Sequence, residues 1–162
     1  MMKTFFKELF NFLSIEFTVM LTAALPVIEL RGAIPVGISM GLSPIHATFL
    51  SFVGSMIPVP ILSFGIRPVF NHLKKTKVFR NIIDRITTRS FRKSNKIQRY
   101  GFWGLILFVA IPLPGTGVWS GTLAAALLDM RFKRAFPAIL IGNIIAAIII
   151  MTLSNGVVRV FS

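Results

Sequence analysis

Two charged residues, Glu29 and Arg31, interrupt a stretch that is otherwise uncharged over residues 17–66. A charge at the centre of a bilayer costs from about 2.5 to more than about 10 kcal/mol, so such residues face a cavity or one another. Two residues apart on a continuous helix, they would point in different directions. In a broken or extended segment both could line one cavity, with Glu29 as a proton-coupling carboxyl. The alternative is that both lie at the membrane interface and end the first helix.

A second candidate motif is the sequence PLPGTG at 112–117. Its prolines cannot continue a helix and its glycines weaken one, so a new helix is expected to begin just after it. The first N–H groups of a helix have no intrahelical partner and favour anions. If a helix also restarts after Pro35, two positive helix ends would face one another near Arg31. The cavity between them would suit a phosphate or another anion; the alternative is a purely structural kink.

The remaining polar residues carry weaker signals. Asn143 lies in the last apolar run, where a hydrogen bond to another helix is expected more than a substrate contact. Gly54 and Gly142 are expected at close helix contacts. His46 and His72 have no metal-ligand spacing, and the chain has no cysteine. No nucleotide-binding loop or hydrolytic set is visible, so no metal, no cofactor and no enzymatic activity are predicted.

The composition is that of a small integral membrane protein. Of 162 residues, 54% are hydrophobic and 14% charged, and the mean hydropathy is +0.78. Soluble domains carry about 25% charged residues. No charged residue occurs in 32–66, 100–128 or 135–158, and a bilayer-crossing helix needs about 20 apolar residues. We therefore expect one membrane domain over residues 1–162.

Most of the positive charge lies in residues 67–99. This segment holds 11 of the 18 Lys and Arg residues of a chain whose net charge is +13. Its apolar flanks argue against nucleic-acid binding. A basic loop between apolar runs is expected on the cytoplasmic side of the cell membrane. Its apolar residues recur at helical spacing, which predicts an amphipathic helix either on the anionic membrane surface or against the protein itself.

The lengths of the apolar runs predict re-entrant hairpins. Residues 100–128 are too long for one crossing and too short for two, and they are broken in the middle at 111–117. Each arm of about 11 residues reaches roughly half of a ~30 Å hydrocarbon core. Residues 17–42 repeat this pattern, with a break at 24–35 between short apolar arms. Residues 45–66 and 135–158 would then cross the membrane in opposite directions.

The predicted fold class is therefore an all-α integral membrane protein with two inverted repeats. Each repeat is a re-entrant helical hairpin plus a transmembrane helix, over about 17–66 and about 100–161, joined by the basic cytoplasmic segment 67–99. Similar residues recur at offsets of 86 to 91, among them Gly54 and Gly142. Inverted repeats whose broken helices meet near the midplane are a transporter architecture.

The sequences ELRGAIP at 29–35 and PLPGTGVWSG at 112–121 resemble the signatures of the small multidrug export proteins. These are small prokaryotic membrane proteins that are distantly similar to the DedA-like proteins. The resemblance implies two re-entrant hairpins that face each other and a transport role. DedA-like relatives are linked to moving polyprenyl phosphate between leaflets and to proton-dependent drug tolerance. They carry arginines around the second proline motif, whereas residues 101–128 contain no basic residue.

We therefore expect a transporter or flippase, coupled to protons, for an anionic lipid head group such as that of polyprenyl phosphate or a phospholipid. The alternatives are a small multidrug or cation exporter, in which Glu29 binds the cation and Arg31 is structural, and a scaffold without transport. Membrane lipids are the expected partners, and a homodimer would enlarge the surface that encloses a substrate. The residues predicted for substrate binding and proton coupling are Glu29, Arg31, Pro35, Pro112, Pro114, Gly115, Thr116, Gly117, Trp119, Ser120 and Asn143.

Overall fold

The computed structural model of the chain describes residues 2–73, 75 and 94–161, and these residues are helical apart from short connections. The helices are α1 (Met2–Ala24), α2 (Glu29–Ser39), α3 (Pro44–Met56), α4 (Pro58–Leu73), α5 (Ser94–Ala110), α6 (Val118–Leu127) and α7 (Phe132–Phe161). The all-α prediction is confirmed for this part of the chain. The amphipathic helix predicted within 67–99 lies largely outside the described residues.

Within the described residues, two stretches are long and apolar enough to cross a membrane, Pro44–Ile66 and Phe132–Val157. They coincide with the two predicted crossings. The first runs through α3 and α4 and changes from one helix to the next at Pro58, which has no N–H to continue the hydrogen-bond ladder. The Ser43 hydroxyl begins α3 by accepting the His46 N–H at 3.4 Å, as expected of a serine at a helix N-cap.

Two helices are much shorter than a crossing. α2 has 11 residues and α6 has 10, so each spans about 15 Å, half of a hydrocarbon core. Each follows a longer helix after a break, which lies at 25–28 between α1 and α2 and at 111–117 between α5 and α6. Each half therefore contains a helix, a break and a short helix. Their re-entrant path through a membrane stays a prediction.

The prediction that a helix restarts after Pro35 is wrong. α2 already begins at Glu29, and Pro35 lies inside it. A proline in a helix removes only one hydrogen bond, here the one to the carbonyl of Arg31, and contacts with neighbouring helices can compensate for that loss. The interruption predicted at 24–35 is confined to residues 25–28, around Pro26.

The two halves pack through equivalent pairs of helices. α1 packs against α2 and α3, and α5 packs against α6 and α7. Each short helix also packs against the long helix of the other half, α2 against α7 and α6 against α4. Two clusters of buried residues include members of both halves, one with Val59 and Ile139 and the other with Ile34 and Ala147. The breaks are therefore held against the opposite half.

Gly54 and Gly142 lie where two helices approach closely. A Cβ atom at Gly54 would lie 2.9 Å from the Met20 Cα of α1, and one at Gly142 would lie 2.8 Å from the Ile106 carbonyl oxygen of α5. The predicted close-packing role of both glycines is confirmed. α3 thus lies against α1 in the same way as α7 lies against α5.

We expect Gly142→Ala to lower the free energy of unfolding by about 1–3 kcal/mol, because the added methyl group meets the backbone of α5. The control is Gly156→Ala in the same helix, where nothing lies within 4 Å of an added Cβ and stability should hold or rise slightly. Thermal unfolding of the purified protein in detergent compares the two. Unchanged stability in Gly142→Ala would contradict the close contact between α5 and α7.

Candidate functional site

Glu29 and Arg31 form an ion pair at the start of α2, in which Glu29 is buried and Arg31 is half-buried. Arg31 Nη1 donates to Glu29 Oε2 at 2.9 Å, and Glu29 is 7% exposed. Side chains two apart on a regular helix diverge. Glu29, however, has a φ of 51°, in the left-handed region that ordinary side chains rarely adopt, so the backbone departs from a regular helix at this residue. The two charges therefore neutralise each other within the protein.

The Glu29 carboxylate also caps α6, which belongs to the opposite half. Its Oε1 accepts the backbone N–H of Trp119, in the first turn of α6, at 3.1 Å. A carboxylate at this end of a helix satisfies an unpaired donor and lies at the positive end of the helix dipole. The sequence predicts free N–H groups for an external anion here. In the structure, a carboxylate of the protein itself binds this N–H.

Gly117 provides the space for that carboxylate. A Cβ atom on residue 117 would overlap with the carboxylate of Glu29 and would lie 2.5 Å from Arg31 Nη1. The φ of Gly117 is −167°, an extended conformation that any residue adopts. The requirement for glycine at this position is therefore one of space rather than of backbone conformation.

The guanidinium of Arg31 closes the C-terminal end of α5. Its Nη2 atom donates to the carbonyl oxygens of Val109 at 3.0 Å and Ile111 at 2.9 Å, and lies 3.3 Å from Thr116 Oγ1. A cation is favourable beside the last carbonyls of a helix. The ion pair thus places its negative member at the positive end of α6 and its positive member at the negative end of α5.

Thr116 ties the second break together. Its hydroxyl donates to the Ile111 carbonyl oxygen at 2.6 Å and accepts the Leu113 N–H at 3.3 Å. Gly115 has a φ of 82°, in the left-handed region that glycine adopts without strain. The break is a defined loop whose carbonyl groups are presented to Arg31.

Trp119 makes the corresponding contact with the first half. Its indole Nε1 donates to the carbonyl oxygen of Ala24, the last residue of α1, at 3.1 Å. The neighbouring Ser120 hydroxyl accepts the Gly117 N–H at 2.8 Å. Arg31 of the first half therefore binds the end of α5, and Trp119 of the second half binds the end of α1.

A cavity of about 550 Å³ opens beside these residues, a size typical of small-molecule sites. Its wall is largely apolar and includes Val27, Leu113, Leu123 and Ile150. The predicted site residues that line it are Glu29, Arg31, Pro112, Pro114, Gly115, Trp119 and Ser120. In the described part of the chain, no group of three or more His, Asp or Glu residues could hold a metal ion.

Two predicted site residues lie apart from this cavity. Pro35 lines a separate groove between α2 and the C-terminal part of α7, with Leu153 among its neighbours. Asn143 is buried between α7 and α3, where its Nδ2 donates to Ser55 Oγ at 2.8 Å. The predicted hydrogen bond of Asn143 to another helix is confirmed.

Several residues that line the cavity or bond to a predicted site residue were not predicted from the sequence. Leu123 and Ile150 line the cavity, but both lie in apolar helices whose other residues look the same, so no local pattern separates a cavity wall from a lipid-facing surface. Ser55 could have been found, because it precedes Asn143 by 88 residues, the offset that also relates Gly54 to Gly142.

Comparison with known proteins identifies the family. A model of the family described as "Putative small multi-drug export protein" matches residues 29–149, most of the chain. The chain belongs to this family of membrane export proteins, and the resemblance that the sequence analysis describes is confirmed. No curated protein and no solved structure matches the chain. A similarity to the DedA-like proteins stays a prediction.

We expect Gly117→Ala to lower the free energy of unfolding by about 2–4 kcal/mol, because the methyl group displaces the Glu29 carboxylate and removes the cap of α6. The matched control is Gly104→Ala on the exposed side of α5, where an added Cβ meets nothing within 4 Å. Chemical unfolding of both variants in detergent gives the comparison.

The same variant tests the cause of the loss. In a Glu29→Ala background the carboxylate is absent, so Gly117→Ala should cost at least about 1 kcal/mol less than it does in the wild-type chain. A cost that is equal in the two backgrounds would mean that the carboxylate of Glu29 does not occupy the space beside Gly117.

Proposed function

We propose that this protein is a proton-coupled membrane exporter whose substrate enters the cavity between the two breaks. The observation that carries the proposal is the buried pair of Glu29 and Arg31 in a largely apolar cavity. Ionisable residues inside a membrane are costly and mark substrate or proton pathways. Both members of the pair line the cavity, so a molecule inside it would contact them directly.

The contacts of Arg31 favour a lipophilic organic cation as the substrate. Both Nη atoms are engaged, one with Glu29 and the other with the last carbonyls of α5, so the guanidinium acts as a structural tie. Glu29 is then the acidic group of the lining. The apolar wall and the indole of Trp119 add the surfaces to which a lipophilic cation binds, including the aromatic face.

Proton coupling is supported by the two contacts of Glu29. The ionised carboxylate holds Arg31 and caps α6, and charge-assisted hydrogen bonds of this kind weaken when the carboxylate is protonated. A proton and a cationic substrate would therefore compete for the same group. Exchange of one for the other is the simplest form of proton-driven export.

An anionic lipid head group, such as that of polyprenyl phosphate or a phospholipid, is the second candidate substrate. The observation that favours it is the buried Nε atom of Arg31, which has no hydrogen-bond partner. A phosphate could accept a bond from this donor once the Arg31 side chain shifts to expose it, and after protonation of Glu29 it could also reach the N-terminal end of α6. A scaffold without transport would need neither the cavity nor the buried pair.

We also infer that α1 with α2 and α5 with α6 are re-entrant hairpins of two inverted repeats. The short lengths of α2 and α6 and the reciprocal packing of the halves support this. Residues in equivalent roles are 88 apart in the sequence. One such pair, Ser55 and Asn143, is joined by a hydrogen bond, and equivalent residues meet in this way where they lie beside a two-fold axis. The pairs with this offset are Arg31 with Trp119, Gly54 with Gly142, and Ser55 with Asn143.

The topology predicts the accessibility of single cysteines introduced into this cysteine-free chain. Cysteines at positions 72, 95 and 132 should all label from the cytoplasmic side of the cell membrane, and one at position 116 only slowly through the cavity. The measurement is labelling of oriented vesicles with a membrane-impermeant thiol reagent. Labelling of position 132 from the side opposite to position 95 would make residues 100–128 an ordinary crossing and would contradict the inverted repeat.

Transport separates the two candidate substrates. We expect Glu29→Gln to reduce pH-gradient-driven efflux of ethidium from proteoliposomes at least about tenfold, a change of ~1.4 kcal/mol in the barrier, whereas Arg31→Lys, which keeps the positive charge beside Glu29, retains more of it. Glu8→Gln replaces an exposed acid on α1 and serves as the control. For a phosphate head group, Arg31→Lys would instead abolish transport, because lysine does not replace a bidentate grip. Full ethidium efflux by Glu29→Gln would contradict the cation proposal.

A further inference from the structure

We propose that the first break, residues 25–28, is the gate of the cavity and that Trp119 is the positioning residue that latches it. This inference rests on the proposed export function, since a gate has a role only where a substrate enters and leaves. It assigns different tasks to the two breaks: the first opens, and the second stays in place as the fixed wall.

Trp119 binds both ends of the first break. Its indole N–H donates to the carbonyl oxygen of Ala24, just before the break, at 3.1 Å. Its backbone N–H donates to the carboxylate of Glu29, just after the break, also at 3.1 Å. The segment is thus held against α6 by a single residue of the opposite half.

The first break has little else to hold it. Its four side chains are Leu25, Pro26, Val27 and Ile28, all apolar and unable to make hydrogen bonds. Val27 is 91% exposed, so it adds little packing against the rest of the protein. Within the segment, the Glu29 N–H donates to the Leu25 carbonyl oxygen at 3.1 Å, which shapes the turn but does not attach it to α6.

The second break is tied directly to α2, the helix that follows the first break. Arg31 donates to the carbonyl oxygens of both Val109 and Ile111, and Thr116 joins the two sides of the loop through its hydroxyl. Bonds from a charged donor are roughly twice as strong as the neutral bond from the Trp119 indole. When the two breaks separate, the bond between Trp119 and Ala24 is therefore expected to open first.

The latch is placed where a substrate can reach it. Trp119 lines the cavity together with Pro26 and Val27 of the first break. A molecule that settles against the indole would contact the latch and the gate at once, and rotation of the ring would break its bond to Ala24. Entry of a substrate is in this way linked to opening of the first break.

The test uses spin labels in the full-length protein in vesicles. One pair is placed at Val27→Cys and Ile144→Cys, the other at Leu113→Cys and Ile144→Cys; all three positions are substantially exposed. Pulsed dipolar spectroscopy measures each distance in the wild-type background and in Trp119→Phe, which keeps an aromatic ring but lacks the N–H. Trp103→Phe, on the exposed side of α5, is the matched control.

We expect Trp119→Phe to raise the population with a longer 27–144 distance about three- to tenfold, the factor that corresponds to one hydrogen bond, and to leave the 113–144 distance unchanged. Trp103→Phe should change neither distance. The proposal is overturned if the 27–144 distance is the same in Trp119→Phe as in the wild-type background, or if the 113–144 distance shifts instead.

A second arm adds ethidium to the protein with an intact Trp119. A lengthening of the 27–144 distance on addition would support the link between substrate and latch. If Trp119→Phe lengthens this distance but ethidium does not, the latch stands and the cationic substrate is wrong. If Trp119→Phe lengthens the 27–144 distance and leaves the 113–144 distance unchanged, but the wild-type protein does not export ethidium, the proposed export function is wrong and the gate stands.

Discussion

The interaction on which the rest of the structure depends is the ion pair of Glu29 and Arg31. It contacts the helices on both sides of the break at 111–117 in the opposite half. Breaking a helix leaves carbonyl groups at one end and N–H groups at the other, and in hydrocarbon each unpaired group costs several kcal/mol. Glu29 supplies an acceptor for an N–H group of α6, and Arg31 supplies donors for carbonyl groups at the end of α5. The charges and the broken helix stabilise each other, and neither would be stable alone in an apolar surrounding.

This arrangement changes how the site recognises a ligand. A helix N-terminus beside an arginine suggests an open anion site, but here a carboxylate of the protein already occupies the donor at that end. Under the proposed export function, an anion that binds this N–H would displace Glu29, and a cation would compete with Arg31 for the carboxylate. The carboxylate of Glu29 is thus the group on which the proposed exchange of a proton for a substrate depends.

Much of the fold could be predicted from the sequence, because its signals are local. The prolines and glycines at 111–117 indicate a break, and uncharged runs of the right length indicate the two stretches that are long and apolar enough to cross a membrane. The site could be predicted only in part. The bonds from Arg31 to Val109 and Ile111 join residues about 80 apart, and nothing in the local pattern specifies them. At Pro35 the local pattern is misleading, because proline usually interrupts a helix but here lies inside α2.

The space at Gly117 has a consequence for how the two halves could have arisen. Gly117 follows Glu29 by 88 residues, so in the proposed repeat the two positions are equivalent. An ancestor of half this length, paired with an identical antiparallel copy, would have brought two glutamates to one place, where their like charges repel and their volumes overlap. Fusion of two copies into one chain allows one glutamate to be lost and the other kept. A single chain with two repeats can therefore carry glutamate at one of these positions and glycine at the other. A symmetric homodimer has the same residue at both.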